Sequence, residues 1–485
     1  MRAGLVLAVM LTAGLLDAGA PASAPRESSA EARLLVDDEL PEQSDGFAPL
    51  ERRRIEAAVA AYRARQPRLP KSHRPFLFAF FPQAGVPGRD LFLQHFADLD
   101  PSSELIRDWD CSSYTYDGHR GHDSRIRSFR EQEIGVPVFA AHDGVVIATH
   151  DGEPDRNTVG ESPLSNYVVL DHGGGYDVWY GHLKRGSVAV GPGQAVAAGR
   201  QIGLTASSGQ SVWPHLHLET HLNGNWIEPS AGPCRPGDSL WADQPPVTRE
   251  LYAAGFYLSP DRLPLAGSNL GSHRASPDRT AVLDDEFRRA GSFVKGRQRI
   301  DARVDVRNLP GGATHRVRVL DPKGSVALES EGAYADVGPL SLVVAFFSEE
   351  VDLATPGVWR FQVELDDTRV VDAPFRVVAS AKQVVNRAPS KIGVLFPTAP
   401  AAGEATICEV LTSLTGRDPD YDLVRYRYEW RAGSKLLRTV TSAATTDLLA
   451  ADLVHAGDRL SCRVTPNDGK RAGPTALAKA VVGGH

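Results

Sequence analysis

Basic residues are in deficit along this 485-residue chain: 53 lysines and arginines face 60 aspartates and glutamates, a net charge of −7. Nucleic-acid binders normally show the opposite balance, so no nucleic acid is expected as a partner. Long apolar runs are missing beyond the extreme N-terminus, which leaves no candidate for a spanning helix of ~20 residues. Cysteine is scarce, four in all, and none follows the N-terminal apolar run, so a lipid anchor is unsupported. Also absent is H-E-x-x-H, which removes the helix-borne glutamate base that such a motif supplies.

What is present begins with an export signal. Arg2 precedes an apolar run, Leu5 to Leu16, and small residues follow, so residues 1–24 read as a signal peptide and the mature chain as periplasmic or extracellular. An even number of cysteines in an exported chain predicts disulfides. Cys111–Cys234 and Cys408–Cys462 are the expected pairs, because each falls within one candidate domain. Closing such loops contributes about 4–5 kcal/mol in the chain-entropy picture.

The length suits roughly three domains, and the expected fold class is mainly β. Residues 25–70 read as a flexible and helical N-terminal region, with Leu50, Ile55, Val59 and Tyr62 near helical spacing. From 71 to 250, short β-like runs broken by Gly, Asp and Asn predict a compact antiparallel domain. A Pro/Ser/Gly-bearing linker is expected over 251–278, then a β-sandwich module over 279–380. Residues 388–485 carry Cys408, Trp430 and Cys462 in the order of an Ig-like β-sandwich. Leu460 stands where the usual tyrosine of a true Ig domain would be.

The chemistry concentrates in the second region. In "PHLHLETH", a strand would put His215, His217 and Glu219 on one face and Leu216 and Leu218 on the other. The leucines read as a core face; the polar face needs a function. Upstream, "YDGHRGHDSR" offers His119 and Asp123, and "VWYGHLKRG" offers His182. His119, Asp123 and one histidine of the H-x-H pair would make a three-ligand zinc site with a fourth position open.

Four motifs in order, "GHRGHD", "LDHGGGYDVWYGHL", "VAVGPGQAVAAGRQIGLTASSGQS" and "PHLHLE", resemble the lysostaphin/LytM-type zinc metalloendopeptidases, which include the beta-lytic proteases. The resemblance covers about residues 110–230. It departs at Ala206, where glycine is common, and at Trp213, where a small residue is usual. It implies one Zn2+ per chain held by His119, Asp123 and His217, with His182 and His215 in the two catalytic histidine positions. It also implies hydrolysis of peptide bonds in peptidoglycan stems or cross-bridges, with the C-terminal β modules positioning or targeting the enzyme. On this reading a fragment ending near residue 250 should still cleave a small peptide.

Remaining candidates are weighed individually. His122, His142, His150 and His221 are expected on the surface, His172 in a turn bonded to backbone, and Tyr180 in the core or groove wall. Glu219 is a candidate for orienting a metal-bound histidine. The segment "SRIRSFREQEIG" (124–135) reads as a loop whose Arg125, Arg127 and Arg130 could meet a substrate carboxylate. Two rivals remain: a catalytically silent peptidoglycan-binding protein or activator of another hydrolase, and an adhesin-like chain of β modules with an incidental zinc. Neither explains four ordered motifs with all five site positions filled.

Overall fold

The computed structural model describes residues 31–36, 46–65, 76–102, 105–156, 163–211, 213–263, 282–334 and 339–484. The expected signal peptide lies outside them. Among the described residues no helix is long and apolar enough to cross a membrane.

The centre of the molecule is an antiparallel sheet in the order Phe92–His95, His122–Arg125, His215–Leu222, Tyr176–Gly181, Tyr167–Gly173, Gly144–His150, Ala195–Val196. Asn225–Ile227 pairs with the H-x-H strand as an extra ribbon. Alternation gives this sheet two apolar faces instead of one. Val168, Leu170, Val178, Tyr180, Leu216 and Leu218 point into a core with Val138, Leu183 and Ile202. Tyr167, Val169 and Trp179, one residue out of phase, face the other way and pack under Ile55 and Val59.

Those two residues belong to helix α1 (Pro49–Arg65). Ile55, Val59 and Tyr62 recur at i, i+4 and i+7, which makes one apolar stripe. Glu51 in its first turn and Arg63 and Arg65 in its last complement the helix dipole. Residues 46–65 therefore dock rather than trail. Glu31–Val36 docks as well, pairing antiparallel with Leu340–Leu353.

Both expected disulfides are formed, Cys111–Cys234 and Cys408–Cys462. The Ig-like module sets Gly393–Leu395, Thr406–Leu411 and Thr446–Leu449 against the four-stranded sheet of Lys435–Ser442, Arg425–Ala432, Arg459–Asn467 and Ala476–Val481. Its disulfide joins the two sheets, and buried Trp430 sits opposite Cys462 in register. The preceding module also has two sheets, one built on Gly296–Leu309 and Leu340–Leu353 and the other on Gly357–Leu365 and Thr368–Val378.

Two expectations need correction. Tyr252–Ser259, at the start of the expected linker, is a strand paired with Gly296–Leu309; Tyr257 and Leu258 are buried there, so this stretch is sheet and not spacer. Residues 264–281 of that linker lie outside the described residues. The segment 124–135 is not a solvated loop. It ends the His122–Arg125 strand and then forms helix α2 (Phe129–Ile134), capped by Ser128, whose hydroxyl accepts from Glu131 N.

The modules grip the central domain tightly. Ala443, Ala444 and Leu448 share a core with Phe80, Ile126, Val136 and Phe139. Phe129 and Trp213 are buried in the core of the middle module. Asp90 receives Arg417 at 2.9 Å and the Thr445 hydroxyl. Burial alone would raise its carboxyl, but Arg417, Arg127, Arg89 and Thr445 hold it down to about 2. This interface does not fit a fragment ending near residue 250 that folds alone. Such a truncation uncovers Phe129, Phe139 and Trp213 and removes Arg417 and Thr445 from Asp90, at roughly 1.5–3 kcal/mol per exposed large side chain. We expect it to be insoluble or aggregated. A monodisperse fragment with the full chain's melting temperature, measured by size exclusion and thermal denaturation, would contradict this.

Candidate active site

Register places the polar residues. Across the antiparallel pair, His217 faces Asp123 and His215 faces Arg125. On its other edge His217 faces Gly181, the residue before His182. His119, upstream of the Asp123 strand, is held by backbone bonds to Tyr116 and Asp98. Three buried ligand atoms therefore converge, from His119, Asp123 and His217.

Their geometry suits a metal ion. His119 Nε2 lies 3.2 Å from His217 Nδ1 and 3.3 Å from Asp123 Oδ1, and the last two atoms are 2.8 Å apart. A tetrahedral zinc with bonds of ~2.0–2.1 Å would separate its ligand atoms by roughly 3.3–3.4 Å. The outer nitrogens fix the tautomers. His119 Nδ1–H donates to the Phe96 carbonyl at 2.7 Å, and His217 Nε2–H donates to Glu219 Oε1 at 3.0 Å. Each ring thus turns its other nitrogen to the cluster, the usual arrangement for metal-bound imidazole.

Electrostatics agree. Burial pushes the His217 ring down, but its hydrogen bonds to Asp123 and Glu219 prevail and raise it to about 9. Without metal its Nδ1 keeps a proton facing Asp123; a divalent cation would displace that proton and compensate the same carboxylate. Burial would likewise raise Asp123, yet His119 and His215 hold it well below the carboxylate range. Burial lowers His119, against the pull of Asp123.

Beside the cluster stand two further imidazoles, their ring centres 4.5 Å apart. His215 Nδ1–H donates to the Trp213 carbonyl at 2.8 Å, and its Nε2 lies 3.6 Å from Asp123 Oδ1. His182 Nδ1–H donates to the Ser208 carbonyl at 2.6 Å. Both present a free Nε2. Burial lowers His215 to about 4 and, with His215 and His217 nearby, takes His182 well below its ordinary range. Both are neutral at pH 7 and able to accept a proton. His182 has φ 57°, a left-handed conformation that costs a non-glycine residue ~1–3 kcal/mol. Strain of this kind is kept where a side chain must be aimed.

Glu219 takes the orienting position expected of it. It holds His217 on one oxygen and His221 on the other, at 2.9 Å, and Arg52 donates to both. Other expectations fail. His221 is not on the surface but buried, stacked on Trp179 at 4.2 Å. His122 is buried too, with Nε2 2.7 Å from Glu228 Oε1; an adjacent Gly-rich motif hid the fact that its strand is covered on both faces. His172 bonds the Asp143 carbonyl and Tyr180 is core, as expected.

The three arginines separate. Arg125 lies opposite His215, stacked on Trp213 at 3.8 Å and donating to Gln94. Arg127 is committed elsewhere, to Glu131 at 2.9 Å and to the carbonyls of Arg89 and Ala254. Arg130 is exposed beside Leu423 and Asp468 of the Ig-like module. The latter two are corrections: Arg127, just before helix α2, is held by Glu131 and two carbonyls, and Arg130 stands exposed on α2. Missed altogether was His95, which donates to the second Asp123 oxygen at 3.2 Å. A lone histidine in "FLQHF" gives no sequence signal.

Comparison with known proteins agrees with this geometry. Residues 119–229 match peptidase family M23. Peptidoglycan DD-endopeptidase ShyA of Vibrio cholerae is 40% identical over 91 residues, 19% of either chain. DD-carboxypeptidase/endopeptidase Mpg of Neisseria meningitidis is 36% identical over 95 residues, 20% of this chain and 19% of its own. Lysostaphin of Staphylococcus staphylolyticus is 32% identical over 96 residues, 19% of this chain and 17% of its own. The likeness thus spans about a fifth of each relative, and the family match falls on the residues that carry the histidine cluster. That domain is a lysostaphin/LytM-type member of peptidase family M23.

Proposed function

We propose that this protein is an exported zinc metalloendopeptidase that hydrolyses peptide bonds in peptidoglycan stems or cross-bridges. What carries the reading is one constellation: three buried ligand atoms with fixed tautomers, next to two neutral imidazoles with free Nε2 atoms. A binding protein would have no need of the last two. The relative named as a peptidoglycan DD-endopeptidase supports the substrate class.

His119 Nε2, Asp123 Oδ1 and His217 Nδ1 would hold one Zn2+. Bound there, the ion supplies Lewis acidity that polarises the scissile carbonyl and acidifies water. The remaining work falls to side chains. One of His182 and His215 accepts the proton of the attacking water at Nε2 and returns it to the leaving amine; the other would hold the developing oxyanion only after taking up a proton from solvent at Nε2, because its Nδ1–H is committed to a carbonyl. Glu219 keeps His217 from turning. The Ser208 and Trp213 carbonyls hold the Nδ1 protons of His182 and His215 in place, so each Nε2 is left unprotonated, with a lone pair to accept a proton.

Incubating the zinc-loaded protein with purified cell walls should release soluble peptides, and chelation should stop it. Stoichiometric zinc without release would instead favour the silent peptidoglycan-binding reading.

Arg125 is the one expected arginine beside a catalytic histidine, and we assign it to a substrate carboxylate. Arg125→Gln should raise KM about tenfold for carboxylate-bearing stem peptides, the scale of one lost charge-assisted hydrogen bond. Uncharged glycine peptides should be nearly unaffected. An equal change for both substrates would mark Arg125 as a support for Trp213 and Gln94 alone.

A further inference from the structure

Three consecutive residues hold the site from the sheet edge away from His182. Gln94 accepts from Arg125, His95 Nδ1–H donates to Asp123 Oδ2 at 3.2 Å, and the Phe96 carbonyl accepts from His119 Nδ1–H at 2.7 Å. All three precede residues 119–229, so the family match assigns none of them a role. A regular strand would point Gln94 and His95 to opposite faces. The ladder instead shifts between Leu93 and His95, which puts Leu93 opposite Ser124 and His95 opposite Asp123. A bulge of this kind re-aims side chains, and here both residues reach the partners that share a face, Arg125 and Asp123.

One rung of the sheet thus runs His95, Asp123, His217 across three strands, and Asp123 divides its oxygens along it. Oδ1 enters the cluster, 2.8 Å from His217 Nδ1 and 3.3 Å from His119 Nε2, while Oδ2 turns to His95. His95 itself stays outside. Its ring centre is 6.0 Å from that of His119, and neither of its nitrogens is among the three converging atoms. An ionised carboxylate only accepts, so His95 Nδ1 carries the proton. The ring is held in place: Tyr116 stands edge-on to it at 5.0 Å, and Arg307 of the middle module donates to the Leu93 carbonyl at 3.2 Å, two residues back along the strand. The His95 side chain is nonetheless 26% exposed, so it is not kept for core packing.

We propose that His95 is a positioning residue that confines Asp123 to a single oxygen in the metal cluster and so keeps one coordination position open for water. The inference rests on the zinc peptidase reading above. Carboxylates bind cations through one oxygen or through two, whereas a water-activating zinc site needs three protein ligands and a free position. Without its donor, Oδ2 is free to turn about the Cβ–Cγ bond toward the cluster, where it competes with water for that position. The supports of His119 and His217 fix which nitrogen each ring offers. His95 fixes how many atoms Asp123 offers.

The test compares the full chain with its His95→Ala, His95→Asn and His95→Gln variants. Asparagine places an N–H donor where histidine has Nδ1; glutamine places it one bond further out. Zinc affinity is measured by competition with a chromophoric chelator, coordination by the visible spectrum of the cobalt(II)-loaded protein, and kcat and KM on a soluble stem peptide at saturating zinc. We expect alanine and glutamine to weaken zinc binding about 10–100-fold, the usual cost of losing a partner that orients a metal ligand. Their cobalt band should also lose intensity, because four-coordinate cobalt(II) absorbs far more strongly than the five- or six-coordinate ion. Their kcat should fall with KM little changed, and asparagine should restore all three readouts. An alanine variant with the zinc affinity and cobalt spectrum of the unaltered protein would overturn the proposal, as would an asparagine variant that behaves like alanine. If the spectra divide as expected but no form hydrolyses the peptide, the peptidase reading fails and the role of His95 toward the metal stands. An unaltered protein that holds no zinc would overturn both.

Discussion

Replacing Asp123 with alanine is expected to abolish metal retention and hydrolysis together. Asp123 is the only anion among the three ligands, and its loss leaves two imidazoles to hold a divalent cation. It also removes the acceptor facing His217 Nδ1 and the one facing His95. Without metal, polarisation of the carbonyl and of water disappears, and the rate should fall by at least about a thousandfold, given that one electrostatic donor alone is worth ~10²–10³. His119→Ala and His217→Ala should behave alike. The check is metal content by mass spectrometry alongside peptide turnover. A ligand variant with stoichiometric zinc and full turnover would refute the assignment.

The second large effect separates chemistry from metal binding. His215→Ala and His182→Ala should each keep zinc yet lose about a hundredfold or more in kcat, the usual scale of a lost general acid–base group. Neither ring supplies one of the three converging atoms, and each is fixed instead by a carbonyl, Trp213 or Ser208. KM should change little. His182 carries the greater folding risk, since its ring also lies parallel to Phe47. His182→Asn, which keeps a hydrogen-bond donor, serves as the control for fold. Normal kcat in both alanine variants would place the base elsewhere.

How far the sequence disclosed this site depends on the kind of signal each residue leaves. His215, His217 and Glu219 share a face because strand periodicity is two, and period alone puts them together. His119 and Asp123 were legible because glycine-spaced motifs recur in a known order. The disulfides followed from parity and domain placement. Residues that act across the fold left no such trace. Arg52 reaches Glu219 over 167 residues and Phe47 meets His217 over a similar distance, and an amphipathic helix predicts only that something apolar lies beneath it. His221 and His122 were misjudged for the same reason: alternation marks one face of a sheet polar, but not that a helix or a second layer covers it. Arg130 was misplaced because "SRIRSFREQEIG" was read as a loop, although Ser128 with Glu131 three residues on is a helix start, and Arg127 because nothing in the pattern shows that Glu131 turns back to bind it.

The most direct test of the central claim is mass spectrometry of the fragments released from peptidoglycan of defined composition by the zinc-loaded protein. The account predicts peptides that have gained one water and a new amino terminus, absent after chelation and in Asp123→Ala. Release of intact stems by cleavage in the glycan, or no release at full zinc occupancy, would contradict it.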